Sequence, residues 1–342
     1  LAEFKNEVSE YTNGTYTDIL LGLPGETMQS HVNSYFGAMK LGFDQIGGGE
    51  VRLLPGSEMD EDKYRDEFCL QTKFRVSEGD IGVYSGNVVF ELEEVIRSTK
   101  WITEDEMLSL RTIRALVYGC TTMGELSPII ASMVRLDINI FEVFKTLLEN
   151  RKKNTEFSNI IEKLDELGKS EWFKSADKAL IHYQDAIKKN SIDEIMPVKL
   201  NFWLLGKLIL NSNAYNQFLE EFKKALIACD YPLSEQIIDD LIYISSKRNY
   251  IRSAINGDVK LKKSFRLNQI SLQELEKCGV ISKKEINNEV YLEMNNSIAN
   301  SISQRIQKTK KLSIYDISLL LQDFSIDMQM KISAINTQQR SV

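Results

Sequence analysis

The stretch Tyr16-Thr17-Asp18-Ile19-Leu20-Leu21-Gly22-Leu23-Pro24-Gly25-Glu26-Thr27 decides the predicted fold. Two glycines and a proline break off its apolar centre, which is typical of a buried strand that runs into a tight turn. Thr27 is a residue type that caps helices, and apolar residues follow it at positions 32, 35, 36 and 39. This spacing predicts a helix with one buried face.

A second strand-like run, from Gln45 to Leu54, follows and ends in its own turn, Pro55-Gly56. Strand, helix and strand make one βαβ unit, so the two strands are expected to be parallel. Parallel sheets bind ligands beyond the carboxyl ends of their strands, which is where both Pro-Gly turns fall. The sequence therefore predicts an α/β fold with a ligand site near these turns.

Several short motifs in the first third of the chain resemble a known enzyme family when they are taken in order. The motifs are Gly22-Leu23-Pro24-Gly25-Glu26-Thr27, Leu53-Leu54-Pro55-Gly56-Ser57-Glu58-Met59, Gly82-Val83-Tyr84, Glu93-Glu94-Val95-Ile96-Arg97-Ser98-Thr99 and Trp101-Ile102-Thr103-Glu104-Asp105-Glu106. Their order and spacing are similar to the later barrel strands of radical SAM enzymes, in the branch that carries an N-terminal cobalamin-binding domain.

The resemblance implies a fold and a division of the chain. Residues 1–102 would form the C-terminal half of a parallel β/α (TIM-like) barrel, in other words a half barrel. A helical extension would follow over residues 103–248, and a small basic α+β appendage over residues 249–342. The strand material at 88–97 is expected to be a further parallel neighbour of the strands at 16–21 and 45–54.

One feature of the family is missing from the sequence. Radical SAM enzymes hold a 4Fe-4S cluster on a CxxxCxxC motif, whereas the cysteines here are Cys69, Cys120, Cys229 and Cys278. Cluster binding needs closely placed thiolates, so we expect no metal ligands on this chain and no activity from it alone. The chain is interpreted as the C-terminal part of a larger enzyme, whose missing N-terminal half is its partner.

The resemblance also implies the cofactors of the complete enzyme. These are S-adenosylmethionine (SAM), the 4Fe-4S cluster and, in cobalamin-dependent members, cobalamin. Reductive cleavage of SAM would give a 5′-deoxyadenosyl radical that abstracts hydrogen from a substrate, and a corrin methyl group could then be transferred. The sequence does not identify the substrate or any catalytic residue.

Polar and glycine residues at the strand ends are the candidate cofactor-binding residues. Glu50 and Arg52 lie two apart, so on a strand they share a face and could bind an amine or a carboxylate of the ligand. The alternative is that they pair with each other or with solvent. The glycines Gly47 to Gly49 could bring backbone close to SAM, or could form a bulge. The full candidate set is Thr17, Glu26, Gln45, Gly48, Gly49, Glu50 and Arg52.

The charge is unevenly spread along the chain, which leaves two rival functions open. The net charge is −7, but residues 1–150 carry 25 acidic and 13 basic residues, and residues 247–311 carry 14 basic and 6 acidic ones. A basic segment can bind nucleic acid, although here it lacks interleaved aromatics and an intramolecular role is favoured. The other rival is a non-catalytic helical interaction protein. Nucleic acid is thus an unlikely partner, and without a long apolar run the protein is predicted to be cytoplasmic.

The rest of the chain predicts helices and one clear strand. Thr103 and Glu106 have the spacing of a capping box, which starts a helix. The alternation from Glu289 to Glu293 predicts a strand, with residues 265–267 or 280–281 as its partner. One long helix is predicted from Ile314 to Ile335, and another helix over residues 1–11.

Overall fold

The protein is a mixed α/β structure that is mainly helical. The computed structural model describes residues 15–43, 45–85, 87–189, 199–281, 289–309 and 312–334. The helix predicted over residues 1–11 lies outside the described residues. The strands are β1 Tyr16–Asp18, β2 Gln45–Gly47, β3 Gln71–Tyr84, β4 Asn87–Ser98, β5 Lys262–Arg266, β6 Glu289–Glu293 and β7 Lys331–Ala334. The α-helices are α1 Met28–Lys40, α2 Asp62–Glu67, α3 Glu104–Cys120, α4 Ser127–Arg135, α5 Ile140–Asn150, α6 Glu156–Ser170, α7 Ala176–Lys188, α8 Leu200–Leu210, α9 Ser212–Ala228, α10 Glu235–Ser246, α11 Tyr250–Ile255, α12 Gln269–Lys277, α13 Asn296–Lys308 and α14 Ile314–Phe324.

Packing divides the chain into two compact units. Unit 1 contains Leu1–Ala115 and Ile161–Leu200, and unit 2 contains Leu116–Ile160 and Asn201–Val342. Each unit therefore takes two separate pieces of the sequence. The division into segments 1–102, 103–248 and 249–342 is a statement about sequence character and stays a prediction.

The predicted order of strand, helix and parallel strand is confirmed in unit 1, but the strands are shorter than predicted: β1 ends at Asp18 and is not buried, and β2 ends at Gly47 instead of Leu54. Strands β1 and β2 are parallel, with Tyr16 opposite Gln45 and Asp18 opposite Gly47. Thr27 caps α1 as expected: its hydroxyl accepts a hydrogen bond from the Ser30 backbone N–H at 3.1 Å. This interaction satisfies one of the N–H groups that the start of a helix leaves without a partner.

The strand at 88–97 corrects the sequence prediction, because it is antiparallel to its neighbours. It is part of β4, which forms a long antiparallel hairpin with β3. On its other side, β4 runs antiparallel to the segment after β2, where the Ile96 N–H donates to the Val51 carbonyl at 3.0 Å. The sequence at 78–80 has the composition of a turn, but it lies within β3, where the pairing register shifts between Val76 and Ile81. A bulge therefore accommodates residues that the sequence predicts to be a turn.

The parallel sheet has two strands, β1 and β2, within the described residues. A TIM-like half barrel therefore goes beyond the observed fold. Its helical continuation agrees better with the prediction. The capping box at the start of α3 is present, since the Thr103 N–H donates to Glu106 Oε2 at 2.8 Å.

Unit 2 contains a three-stranded antiparallel sheet in the order β5-β6-β7. The predicted strand Glu289–Glu293 is confirmed as β6, and its partner β5 places Phe265 opposite Val290. The predicted long helix is wrong beyond Phe324, where α14 ends. A 3-10 turn and β7 follow, because the Met330 N–H donates to the Arg248 carbonyl at 2.8 Å and draws the chain into extended pairing.

The helices of unit 2 pack around aromatic side chains. Phe144 on α5 stacks against Phe218 and Phe222 on α9, with ring centroids 6.4 and 5.4 Å apart. All three rings are essentially inaccessible to solvent, so they form a core rather than a binding surface. None of the helices within the described residues combines the length and the apolar character needed to cross a bilayer.

Candidate functional site

Positions 47, 48 and 49 are all glycine, and the surroundings that a side chain would meet differ from one position to the next. A side chain at Gly47 would meet the side chains of Tyr16 and Asp18, with a Cβ 2.5 Å from the tyrosine oxygen. Gly48 has a φ of +132°, and a Cβ there would overlap the Ile19 carbonyl. At Gly49 a Cβ would meet no described atom within 4 Å, and its φ needs no glycine. Packing thus explains why the first two residues are glycines. It gives no reason for a glycine at position 49, whose carbonyl accepts a hydrogen bond from the Leu21 N–H at 2.9 Å.

Glu26 holds the turn that follows β1. Its Oε2 accepts a hydrogen bond from the Gly22 N–H at 2.8 Å, and its Oε1 lies 2.9 Å from His31 Nδ1. The His31 ring is completely buried, so this carboxylate joins the turn to the core face of α1. In this structure Glu26 therefore stabilises the conformation of the turn through its hydrogen bond with the Gly22 N–H.

Thr17 and Gln45 lie away from the carboxyl ends of the two strands. Thr17 is in the middle of β1, opposite Ile46, and Gln45 is the exposed first residue of β2. Glu50 is five positions after Gln45 in the sequence, which is about 16 Å along an extended chain. The structure therefore does not bring the predicted candidates together at one point.

Glu50 and Arg52 have different surroundings although they are two residues apart. The Arg52 side chain is 51% exposed, and its Nε lies 2.7 Å from Glu93 Oε2. Glu50 points to buried arginines: its carboxylate is 3.2 Å from Arg97 Nη1 and 3.4 Å from Arg111 Nε. Of the two, Glu50 belongs to a built polar site.

The arginine cluster consists of Glu50, Arg75, Arg97, Arg111 and Trp172. The guanidinium carbons of the three arginines lie 4.7, 4.1 and 5.4 Å from the centroid of the Trp172 ring. Cations are attracted to the face of an indole, so this single ring helps to hold three positive charges together. The cluster draws on four parts of unit 1: the end of β2, the β3–β4 hairpin, α3, and the segment between α6 and α7.

Backbone and side-chain hydrogen bonds fix the position of Trp172. The neighbouring Phe173 forms a reciprocal pair of backbone hydrogen bonds with Phe74 on β3, each 2.8 Å long. The indole N–H itself donates to the Gly168 carbonyl at 2.9 Å. Glu171, one residue earlier, pairs with Arg75 at 2.8 Å and also with Arg111. The segment is thus tied to the hairpin on both sides of the ring.

The charges of the arginine cluster shift the pKa values of its members. Burial by itself disfavours the ionised form of Glu50, but the positive charges of Arg111, Arg75 and Arg97 outweigh burial and hold the pKa of this carboxyl well below its usual range. Burial lowers the pKa of Arg97, and the Glu50 carboxylate opposes that effect only in part. The cluster therefore keeps an ionised carboxylate among arginines, and the burial of Arg97 is only partly compensated.

Sequence reasoning missed the arginines and the tryptophan of this site. They are far apart in the chain, and the helical spacing of the aromatics around Trp172 predicts an ordinary core residue. One signal was available: Arg97 directly follows Val95 and Ile96, so it is a charged residue inside an apolar strand. A charge in such a position is rarely buried without a partner or a purpose.

The cysteines lie at separate places in the structure. Cys69 follows α2, Cys120 ends α3, Cys229 follows α9 and Cys278 follows α12. Within the described ranges, no group of three or more His, Cys, Asp or Glu side chains is arranged to hold a metal ion. Comparisons with known protein families and with curated proteins gave no match for this chain.

Proposed function

We propose that this chain is the C-terminal part of a radical SAM enzyme of the type that carries a cobalamin-binding domain. In the complete enzyme it would form one wall of the cavity that holds SAM and a substrate. The proposal rests on the ordered motifs at 22–27, 53–59, 82–84, 93–99 and 101–106. It is supported by the parallel β1–β2 pair, whose loops at the carboxyl ends carry two of these motifs.

One observation carries the proposal further than the motifs do. Gly49 is a glycine for which neither backbone conformation nor packing against described residues gives a reason. It lies two residues after the end of β2 and next to Glu50, near the carboxyl end of the strand, where parallel strands bind ligands. Close approach of a ligand to the backbone would explain the missing side chain.

The finer fold belongs to the same proposal. In it, β1 and β2 are two late strands of a β/α barrel, and earlier strands of the same enzyme would complete the sheet. The antiparallel β4 would then close the barrel region and connect it to α3. Arg75, Arg97 and Arg111 would line one side of the cavity, with Glu50 holding them in position.

The cofactors would supply the reactive chemistry, which is radical formation and, in cobalamin-dependent members, methyl transfer. The residues of this chain would bind SAM and the substrate and orient them. The Gly49 backbone would admit the ligand, the Gly22–Glu26 turn would fix the strand end, and the arginine cluster would present positive charge to an anionic group.

Substituting Gly49 tests this role without disturbing the fold. Gly49→Ala adds a methyl group into space that no described residue occupies, so thermal stability should be within about 0.5 kcal/mol of wild type. If the backbone touches SAM, the variant should bind SAM at least about tenfold more weakly in isothermal titration calorimetry of the complete enzyme.

Gly37→Ala is the matched control, because a Cβ there also meets no described atom. Gly37 lies inside α1, so alanine should stabilise the helix slightly and leave SAM binding unchanged. Equal SAM affinity for wild type, Gly49→Ala and Gly37→Ala would remove the site from this strand end.

The basic segment gives less support to the nucleic-acid alternative. Three of its cationic residues on β5 already have acidic neighbours. Lys262 lies 2.7 Å from Glu293, Lys263 lies 2.7 Å from Asp258, and Arg266 lies 3.6 Å from Glu289. Such pairing favours an intramolecular role for these charges over contacts with phosphates.

A further inference from the structure

Arg97 combines deep burial with incomplete pairing. Its side chain is 1% exposed, yet neither Nε nor Nη2 has a hydrogen-bond partner among the residues that the structure describes. Its Nη1 donates to Glu50 at 3.2 Å. Leaving donors of a buried guanidinium unsatisfied is costly, so a structure that retains them usually has a use for them.

The two unsatisfied atoms lie on the same edge of the guanidinium. Nε–H and one N–H of Nη2 point in parallel from this edge, and this fork matches the two oxygens of a carboxylate. The nearest acidic group is Glu104 Oε1, 3.7 Å from Nε, which is too far for a hydrogen bond. Glu104 is bound instead to Lys73, whose Nζ lies 2.7 and 2.8 Å from its two oxygens.

The charge around Arg97 favours an anionic ligand. Glu50, Glu93 and Glu171 are the carboxylates that face Arg52, Arg75, Arg97 and Arg111, and the Lys73–Glu104 pair is neutral by itself. Arg114 lies close enough to act on Glu50 and adds a further positive charge. The surroundings of Arg97 therefore carry a surplus of positive charge, which a bound anion would reduce.

We propose that the Nε/Nη2 edge of Arg97, beside the Trp172 ring, binds the carboxylate of a small-molecule ligand. This inference does not rest on the proposed function, because it follows from the unpaired fork and its surroundings. Glu104 is the nearest competing carboxylate: its Oε1 lies 3.7 Å from Nε of Arg97, and its side chain is 32% exposed.

Arg65 shows what a filled fork looks like in the same unit. Its Nε donates to the Asp60 carbonyl at 3.2 Å, and its Nη2 donates to Asp60 Oδ1 at 2.7 Å. Its Nη1 donates to Glu94 at 2.8 Å. Arg65 therefore has no edge to offer and is the internal control.

Titration of the full chain, labelled with 15N-arginine, tests the proposal. Sodium acetate is the probe, at constant ionic strength against chloride, and acetamide is the neutral control. The Nε–H NMR signal of Arg97 should shift saturably with acetate and stay in place with acetamide, while the Arg65 signal should not move. Loss of a signal in Arg97→Lys assigns that signal to Arg97. If this variant does not fold, Arg75→Lys and Arg111→Lys assign the other two arginines over the Trp172 ring and leave the Arg97 signal by elimination.

A pair of charge variants separates ligand binding from internal pairing. Glu104→Gln removes the carboxylate that competes for the fork and should tighten acetate binding severalfold. Asp105→Asn removes one exposed charge on the same turn of α3, and should leave the affinity within about twofold of wild type. An Arg97 signal that acetate moves in neither wild type nor Glu104→Gln would overturn the proposal, since the fork would then bind no carboxylate even when the nearest competing one is removed.

Two further titrations distinguish a carboxylate of the cofactor SAM from a carboxylate of a substrate. SAM carries a carboxylate on its methionine moiety, and decarboxylated SAM does not. If SAM shifts the Arg97 signal and decarboxylated SAM does not, the fork binds the carboxylate of the cofactor. If acetate shifts the signal and the two forms of SAM have the same effect, the fork binds the carboxylate of a substrate. In that second case the carboxylate site stands even if the proposed radical SAM function fails.

Discussion

Each of the two units buries a glutamate against arginine and an aromatic ring, but the two clusters are balanced differently. In unit 2, Glu125 is paired with Arg252 and accepts hydrogen bonds from Asn249 at 2.8 Å and from Gln329 at 3.3 Å. The Arg252 guanidinium lies over the Tyr215 ring, 3.4 Å from its centroid. We refer to these five residues as the Glu125 cluster.

The Glu125 cluster is centred on a carboxylate, whereas the arginine cluster of unit 1 is centred on positive charge. One arginine and two amides serve Glu125, although Nε of Arg252 has no hydrogen-bond partner among the described residues. In unit 1, three arginines surround Glu50, and both Nε and Nη2 of Arg97 lack such a partner. One arginine for one carboxylate favours a structural role, whereas several arginines and a two-donor edge favour a ligand.

Removing one arginine from each cluster should change the free energy of unfolding by very different amounts, and this is the largest difference that we expect between the clusters. Arg252→Met deprives the buried Glu125 of its cation, and we expect the free energy of unfolding to fall by about 3–5 kcal/mol. Arg97→Met still leaves Glu50 with Arg111 and Arg75, so its effect should be within about 1 kcal/mol. Urea denaturation followed by circular dichroism measures both.

Equal losses of stability in the two variants would contradict this comparison. In that case Arg97 would be as necessary to its unit as Arg252 is, and the surplus charge would have no functional meaning. Arg65→Met provides a third reference, because Arg65 is only partly buried and fully paired.

Lowering the pH should reduce the free energy of unfolding gradually, through protonation of Glu50, and by less than the loss expected for Arg252→Met. The folded-state pKa of Glu50 is held below its ordinary value of 4.5, so the ionised carboxylate stabilises the fold above that pH. As the pH falls below about 4.5, this stabilisation should be lost at up to about 1.4 kcal/mol per pH unit. Glu50→Gln should show a shallower slope by about that amount in urea titrations from pH 5 to pH 3.

The same measurement on Glu125→Gln sharpens the comparison. The pKa of Glu125 is also lowered, since Arg252 and Asn249 outweigh its burial. Its variant should therefore lose part of the acid dependence as well. A Glu50→Gln variant whose acid dependence equals that of wild type would show that the arginines do not stabilise the ionised form.

Local signals in the sequence predicted the elements whose causes are local. The run from Tyr16 to Leu21 and its Pro-Gly turn gave the first strand of the βαβ unit, and the Thr103–Glu106 spacing gave the start of α3. Both depend on residues a few positions apart. The alternation from Glu289 to Glu293 likewise gave β6.

Elements decided by distant contacts were predicted less well. The direction of β4 depends on a hairpin whose bulge hides a turn-like sequence, and the end of α14 depends on backbone pairing of Met330 with Arg248. The arginine cluster depends on four segments between residues 50 and 172. Sequence spacing contains no information on such convergence, so Glu50 was found and its partners were not.

Formation of 5′-deoxyadenosine tests most directly the proposal that the chain is part of a radical SAM enzyme. The complete product of the gene would be reconstituted anaerobically with iron and sulfide, then supplied with SAM and a strong reductant. We expect 5′-deoxyadenosine from the complete protein, and neither a cluster nor this product from the 342 residues alone. A complete protein that lacks CxxxCxxC, or that binds a cluster and SAM but forms no 5′-deoxyadenosine, would contradict the account.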